Sequence, residues 1–424
     1  MQTRFPQHDS RLAETIASFC REGHDPPPKG LRDSFPSSPI WKAVAATGTS
    51  LWLDTGDVEA AGKLWTREFQ ALTTNNTLLN KEVQKGIYDD LIPRAAALVK
   101  NAGADLEPAA VVKEVAFVLN AVHGLSLVRS FDADVSVELH TDVANDAEAS
   151  YHYARRFQAI CPDRFIVKIP LTPAGILVAR RLSDEGVRLN FTLGFSARQN
   201  ALIALLARPT WVNVFMGRIN AFVKDNGLGD GENAGEKATL ASQRELRRLD
   251  RERGIRVRQI GASMRNGGQV RDLMGLDVFT IPTSAASDFL AGDPDPDSFG
   301  DRTQDDPKVE FAEGADPTGL DAFWSVDDGF RSMLSAAAEA FSEKWSASDL
   351  LSFLRDHGCG DLFPSFDPPQ IERLTRETKI PRHASWKDMV AAGTCSWDGA
   401  LTAAALCSFA QDQKALDYRI RGLL

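Results

Sequence analysis

Eight short apolar runs recur along this chain at strand-and-helix spacing, and that rhythm limits the folds open to it more than any other feature. The runs are SLWLDT (50–55), ALTT (71–74), VSVEL (135–139), FIVKIP (165–170), RLNFTL (188–193), WVNVFM (211–216), RQIGAS (258–263) and VFTIP (278–282). Amphipathic segments long enough for helices separate most of them. In DVEAAGKLWTREFQ, for example, Val58, Ala61, Leu64, Trp65 and Phe69 fall at helical spacing. Strand and helix alternating eight times predict an α/β chain folded as a parallel (β/α)8 TIM barrel, with a doubly wound open sheet as the second choice. The gap 75–134 is too long for a structureless loop and is expected to hold at least two helices. Ile92, Ala95, Ala96 and Val99, then Val111, Val115, Leu119 and Val122, mark their apolar faces.

The rhythm leaves both ends unaccounted for. Residues 1–48 read as an N-terminal extension with a short helix around Leu12 to Cys20 and a Pro-rich stretch (HDPPPKG, FPSSP), and 49–292 as the barrel. Residues 293–319, acidic and rich in Pro and Gly, read as a surface loop or linker. Residues 320–424 read as an additional C-terminal helical segment packing on the barrel, ending in a long helix with Leu401, Ala405, Phe409 and Leu416 on one face. That segment is compatible with a lid over a site or with a homodimer contact.

A chain of 424 residues, 43% hydrophobic, can bury a large core. Its formal net charge of −10 argues against a protein built to hold nucleic-acid backbone. The five cysteines form no CxxC pair, so neither a zinc site nor a disulfide framework is indicated, and such usage fits a reducing cytoplasm. MQTRFPQHDS has no signal-peptide core, and no run reads as apolar for long enough to cross a bilayer. The chain is therefore read as cytoplasmic, without a nucleic-acid or membrane partner.

Side chains alternate across a strand, so residues two apart share a face. On that rule Asp54 joins Trp52, Glu138 joins Ser136 and His140, Lys168 joins Ile166, Thr192 joins Asn190, and Ser263 joins Gly261. Each polar residue lies near the C-terminal end of its strand, where barrel enzymes assemble their sites. Taken alone, an Asp or Thr at a strand end is a helix cap or turn former, and a buried Lys and Glu on adjacent strands can be a structural ion pair.

Chemistry gives Lys168 a reason. An amine attacks a ketone only when unprotonated, and a low-dielectric surrounding disfavours the ammonium form. The resulting iminium withdraws electrons, so the adjacent carbon-carbon bond breaks if a carboxylate accepts the hydroxyl proton of the departing carbon. Asp54 and Glu138 are the available carboxylates. Arg218, after the sixth run, and Arg265, after the seventh, emerge where barrels commonly build phosphate sites. Three other features read as structural. GLGDGENAGE (227–236) is a flexible loop rather than a phosphate cradle, and RELRRLDRERGIRVR (244–258) is a solvated helix face. His140 is either near the site or a hydrogen-bonded strand-end histidine.

Seven motifs, LWLDTGD, ALTTN, VSVELHTD, VKIP, LNFTLGFS, FMGRI and GASMRN, resemble those of the transaldolase family in order and separation, across residues 40 to 292. The terminal FAQDQKAL resembles the family's closing helix. The resemblance implies a Schiff-base lysine at Lys168, an acid/base at Asp54, and a water held and activated by Glu138 and Thr192. It implies dihydroxyacetone contacts at Asn75, Asn190 and Ser263, phosphate contacts at Arg218 and Arg265, sugar-phosphate substrates, and no metal or other cofactor. Phe215 matches the transferases, where the related fructose 6-phosphate aldolases have Tyr. Asn76 stands where the family usually has Pro, and Asn213 where it has Ser or Ala. Dihydroxyacetone transfer between sugar phosphates is the expected activity. A lyase releasing dihydroxyacetone, and a non-catalytic interaction protein with a vestigial site, are the alternatives.

Overall fold

The eight apolar runs become eight strands: β1 Ser50–Asp54, β2 Phe69–Thr73, β3 Asp134–Glu138, β4 Phe165–Pro170, β5 Leu189–Thr192, β6 Trp211–Phe215, β7 Arg258–Ala262 and β8 Val278–Pro282. All pair in parallel and in sequence order, and β8 closes on β1. The result is a (β/α)8 barrel and not an open sheet. The structure is a computed structural model that describes residues 10–24, 27–28, 30–102 and 106–424. The expectations for the first nine residues and for part of HDPPPKG lie outside the described residues; the expected short helix is Ser10–Arg21.

The barrel interior has two layers. Trp52, Ala71, Ile166, Trp211, Ile260 and Val278 meet in the lower one, where the Trp52 and Trp211 rings contact edge-on at 5.1 Å. Two residues further along β1, β4 and β6, the same faces carry Asp54, Lys168 and Asn213. The rim above is held by helix caps. Asn75, Asp146, Thr172, Ser196 and Asn266 each accept a backbone N–H at the start of the helix that follows a strand. After β4, Thr172 caps a helix opening with Pro173. A Cβ on Gly175 would lie 2.4 Å from the Pro170 carbonyl oxygen, so only glycine lets this first turn fold onto the strand end.

Several elements differ from the sequence reading. The helix expected in DVEAAGKLWTREFQ covers only Val58–Gly62, and Phe69 belongs to β2. Phe69 is drawn into the strand by its buried contacts with Trp41 and Trp65. The gap before β3 holds three helices, Asn76–Gln84, Leu91–Ala102 and Pro108–Phe131. The last is long and apolar enough by composition to cross a membrane, a run the sequence reading did not register. It is buried nearly all round between β3, the helices Ser10–Arg21 and Leu91–Ala102, and the terminal helix, which explains its lack of a polar face. The helix Ala234–Arg253 is solvated on one side only, since Leu246 and Leu249 are buried.

The acidic stretch 293–319 is a strap and not a free linker. Arg302 N donates to Met274 O at 2.8 Å, Ala312 N to Leu228 O at 2.9 Å, and Lys237 Nζ meets Asp306 Oδ1 at 2.6 Å. Helices Asp328–Ala340, Ala347–Asp356, Pro368–Glu377, His383–Ala391 and Trp397–Arg421 follow. A second core forms where Leu193, Phe195, Val214 and Phe222 of the barrel meet Phe323, Trp386, Trp397 and Leu401; each such side chain contributes about 1.5–3 kcal/mol on burial. Arg198 fastens this layer. Its guanidinium donates to Asp398 at 2.9 and 2.8 Å and to Asp361 at 2.8 Å.

Candidate active site

The register of the strands sets the first contact. Glu138 of β3 pairs with Lys168 of β4, and Lys168 with Asn190 of β5, so three polar side chains project inward at one height. Lys168 Nζ and Glu138 Oε1 are 3.8 Å apart, an ion pair too long for a hydrogen bond, with both side chains only 3% exposed. The other oxygen, Glu138 Oε2, accepts the backbone N–H of Asn76 at 3.1 Å.

Burial governs the ionisation of both carboxylates. It pushes Asp54 up to about 6, against the pull of the Lys168, Arg265 and Lys81 charges. Burial likewise raises Glu138; Lys168, the Asn76 N–H and Arg218 pull it back, and the Asp54 charge adds to the rise. Two carboxylates titrating high beside one lysine form a group poised for proton transfer.

Arg218 lies in the first turn of the helix Met216–Asp225 and is 5% exposed. Burial and the nearby Arg265 lower it to about 10, opposed by Asp412 and Glu138. Its guanidinium carbon sits 5.5 Å from the Phe215 ring centre and 5.4 Å from that of Phe409 on the terminal helix. Arg265 is exposed at the rim. Among the described residues neither of these neighbouring cations makes a contact ion pair, although the charges of Asp412 and Glu138 reach Arg218 and that of Arg265 reaches Asp54. Gly217 permits this closeness, because a Cβ there would lie 2.2 Å from Ser263 O and 2.7 Å from Arg265 Nε.

The other sequence candidates divide by how far the protein itself satisfies them. Asp54 Oδ1, Thr192 Oγ1, Asn213 Oδ1 and Arg218 Nη1 are buried without a hydrogen-bond partner, although buried polar groups are almost always bonded. Asn190 is engaged, donating to Ser136 Oγ at 3.1 Å. Asn75 spends its carbonyl oxygen on Leu78 N at 2.8 Å, leaving its amide N–H groups. Ser263 does not share an inward face with Gly261, which points at Leu276 and Met264 outside the barrel. It follows the strand at φ 64°, and this left-handed residue breaks the alternation.

His140 turns away. Its Nδ1 accepts from Asp142 N at 3.1 Å and its Nε2 lies 3.4 Å from Asp417 Oδ1 on the terminal helix, the strand-end role rather than the site role. The Gly-rich loop is held too. Gly229 bridges to Phe311, and Glu236 occupies the first turn of the next helix, accepting from Asn220 at 2.9 Å and Gln269 at 2.6 Å. Gln269 Oε1 accepts Arg265 N at 2.6 Å, which orients that loop.

The sequence reading missed Phe409 and Asp412, which reach the site from the terminal helix, and Asn120, whose amide donates to Glu138 O at 2.8 Å. An amide inside the apolar run VAFVLNAV was the one available signal.

The profile of the family described as Transaldolase/Fructose-6-phosphate aldolase matches residues 51–350, beyond the strands and into the C-terminal segment. The chain is similar to a protein named Transaldolase from Rhizobium etli, 32% identical over 315 residues, 73% of this chain and 91% of the relative. It is similar to a Transaldolase of Rhizobium leguminosarum bv. trifolii, 31% identical over 317 residues, 73% of this chain and 92% of the relative. It is also similar to one of Xanthomonas euvesicatoria pv. vesicatoria, 33% identical over 234 residues, 54% of this chain and 71% of the relative. A solved structure described as an IMP dehydrogenase/GMP reductase-like protein from Corynebacterium glutamicum covers 55% of this chain and 63% of its own. At 13% identity and a TM-score of 0.32, it bears on neither fold nor function.

Proposed function

The chain belongs to the transaldolase/fructose-6-phosphate aldolase family, and from that premise we propose that it is a transaldolase. In this reading it moves a dihydroxyacetone unit from a ketose phosphate, such as fructose 6-phosphate or sedoheptulose 7-phosphate, to an aldose phosphate. The observation that carries it is the Lys168–Glu138 pair, buried at the C-terminal mouth yet 3.8 Å apart, with Asp54 beside it and two arginines above that make no contact ion pair among the described residues.

Lys168 Nζ attacks the donor's C2 carbonyl, and loss of water leaves an iminium. Glu138 and Thr192 hold the water that relays protons in this step and in its reversal; the unpartnered Thr192 Oγ1 supports that role. Asp54 takes the C4 hydroxyl proton as the C3–C4 bond breaks, the bonding electrons pass into the iminium to give an enamine, and the aldose departs. A group titrating near 6 is suited to accept that proton at neutral pH and return it. The acceptor aldehyde then takes the enamine carbon, its oxygen recovers the Asp54 proton, and hydrolysis frees Lys168. Asn75, Asn190 and Ser263 hold the dihydroxyacetone portion, and Arg218 and Arg265 the phosphates. Phe215 offers no hydroxyl with which to hold a proton source beside the enamine, which favours capture by an aldehyde over protonation and release.

Borohydride added with fructose 6-phosphate, followed by mass spectrometry, is expected to leave a reduced three-carbon adduct on Lys168. Turnover is expected to require erythrose 4-phosphate. Turnover independent of that acceptor would replace the transferase with a lyase, and no adduct with no turnover would leave an interaction protein.

A further inference from the structure

We infer that Asn76 is a positioning residue for Glu138, holding the carboxylate through its backbone N–H and the strand end through its side chain. The inference rests on the proposed role of Glu138 and adds a residue to it. Asn76 is the first residue of the helix Asn76–Gln84, where a backbone N–H has no partner within the helix. That N–H donates to Glu138 Oε2 at 3.1 Å, and the helix N-terminus favours the negative charge it meets. The Asn76 amide donates to Leu139 O at 3.1 Å, while Asn120 donates to the preceding carbonyl, Glu138 O, at 2.8 Å. Consecutive carbonyls of the β3 end are thus each held by a buried asparagine.

The consequence is a division of labour between two oxygens. With Oε2 committed to Asn76, Oε1 is the oxygen that faces Lys168 and the place of a bound water. Lys168, Asp54 and Arg218 act on Glu138 through their charges, and His140 and Tyr153 line the small cavity behind it. Of the two groups whose hydrogen bonding or contact is closest, only the Asn76 N–H is an actual hydrogen-bond donor to the carboxylate.

Two variants separate the functions. Asn76→Ala keeps the N–H and removes the amide; Asn76→Pro removes both. Proline suits the first helical position, and Asn75, extended at φ −158° and ψ 172°, suits the residue before it. Loss of a hydrogen bond to the charged form is expected to move the acid limb of the kcat profile up by about one pH unit in Asn76→Pro relative to Asn76→Ala. Near pH 6 kcat would then be several-fold lower in the proline variant, with recovery near pH 8.5. In parallel, the Glu138 carboxyl carbon is titrated by NMR, assigned through Glu138→Gln, and its midpoint is expected to move the same way whether or not the protein turns over sugar phosphates. Matching midpoints in the two variants, both retaining native circular dichroism, would overturn the inference. A shifted midpoint without turnover in the wild type would uphold it and discard the transferase reading.

Discussion

Two of the protein's buried ion pairs are built in opposite ways. Arg156 and Glu114, between the helices Ala147–Ile160 and Pro108–Phe131, meet in a two-pronged contact at 3.0 and 2.5 Å. Tyr153 donates to the same carboxylate at 2.7 Å, and the guanidinium lies 4.3 Å from the Phe117 ring centre. Lys168 and Glu138 stay 3.8 Å apart, with unpartnered oxygens on Asp54 and Thr192 close by in the same mouth. The Arg156–Glu114 pair commits both terminal guanidinium nitrogens and both carboxylate oxygens to each other, and only Arg156 Nε is left unpartnered, enclosed between the helices. A pair held just beyond hydrogen-bond reach keeps a lone pair free, at a desolvation cost that its surroundings only partly offset.

The largest expected effect comes from removing the open pair's cation. Lys168→Met is predicted to lower turnover about 1000-fold or more and to abolish the borohydride adduct. Its stability should fall less than that of the closed pair's variant below, since Glu138, which burial already raises, can take up a proton once the cation is gone. Retained turnover would put the nucleophile elsewhere. The reverse pattern is predicted for the closed pair. Arg156→Met leaves Glu114 buried without its cation and should cost about 3–5 kcal/mol in denaturant unfolding, while kcat of the folded fraction stays within about two-fold. Undiminished stability would erase the contrast.

Asp54→Asn gives the smallest and most diagnostic change. Asp54 titrates near 6 in the fold against 3.8 when unburied, so the folded state binds the proton more tightly. That contribution to stability is fully present below about pH 4 and is lost as pH rises through 6. Asp54→Asn should therefore be more stable than the wild type at pH 7, by up to about 3 kcal/mol, and nearly equal to it at pH 4, while kcat falls about 100-fold. Equal stability at both pH values would mean that the carboxylate is not held under desolvation.

Much of the barrel was legible because a strand buried on both faces reads as a short apolar run. Lys168, Glu138 and Asp54 stood out as polar residues inside such runs. Legibility failed where a contact joins distant segments. Asn76 was visible only as a departure from the family pattern, and its hydrogen bond to Glu138 spans 62 residues. Phe409 reaches Arg218 from a helix nearly 200 residues further on. The acidic stretch 293–319 has the composition of a linker, yet its backbone is fastened to Met274 and Leu228 by bonds that composition cannot reveal. Ser263 defeated the two-residue rule because a single left-handed φ redirects the chain after β7.

By itself, then, the sequence determined the strand–helix alternation, the polar residues at the strand ends and the family, since periodicity and residue type are local properties. Tertiary structure alone decided which pair of buried charges is closed and which is open. The difference of 3.8 Å against 2.5 Å depends on barrel register, on a helix N-terminus from another part of the chain, and on the burial that neighbours impose.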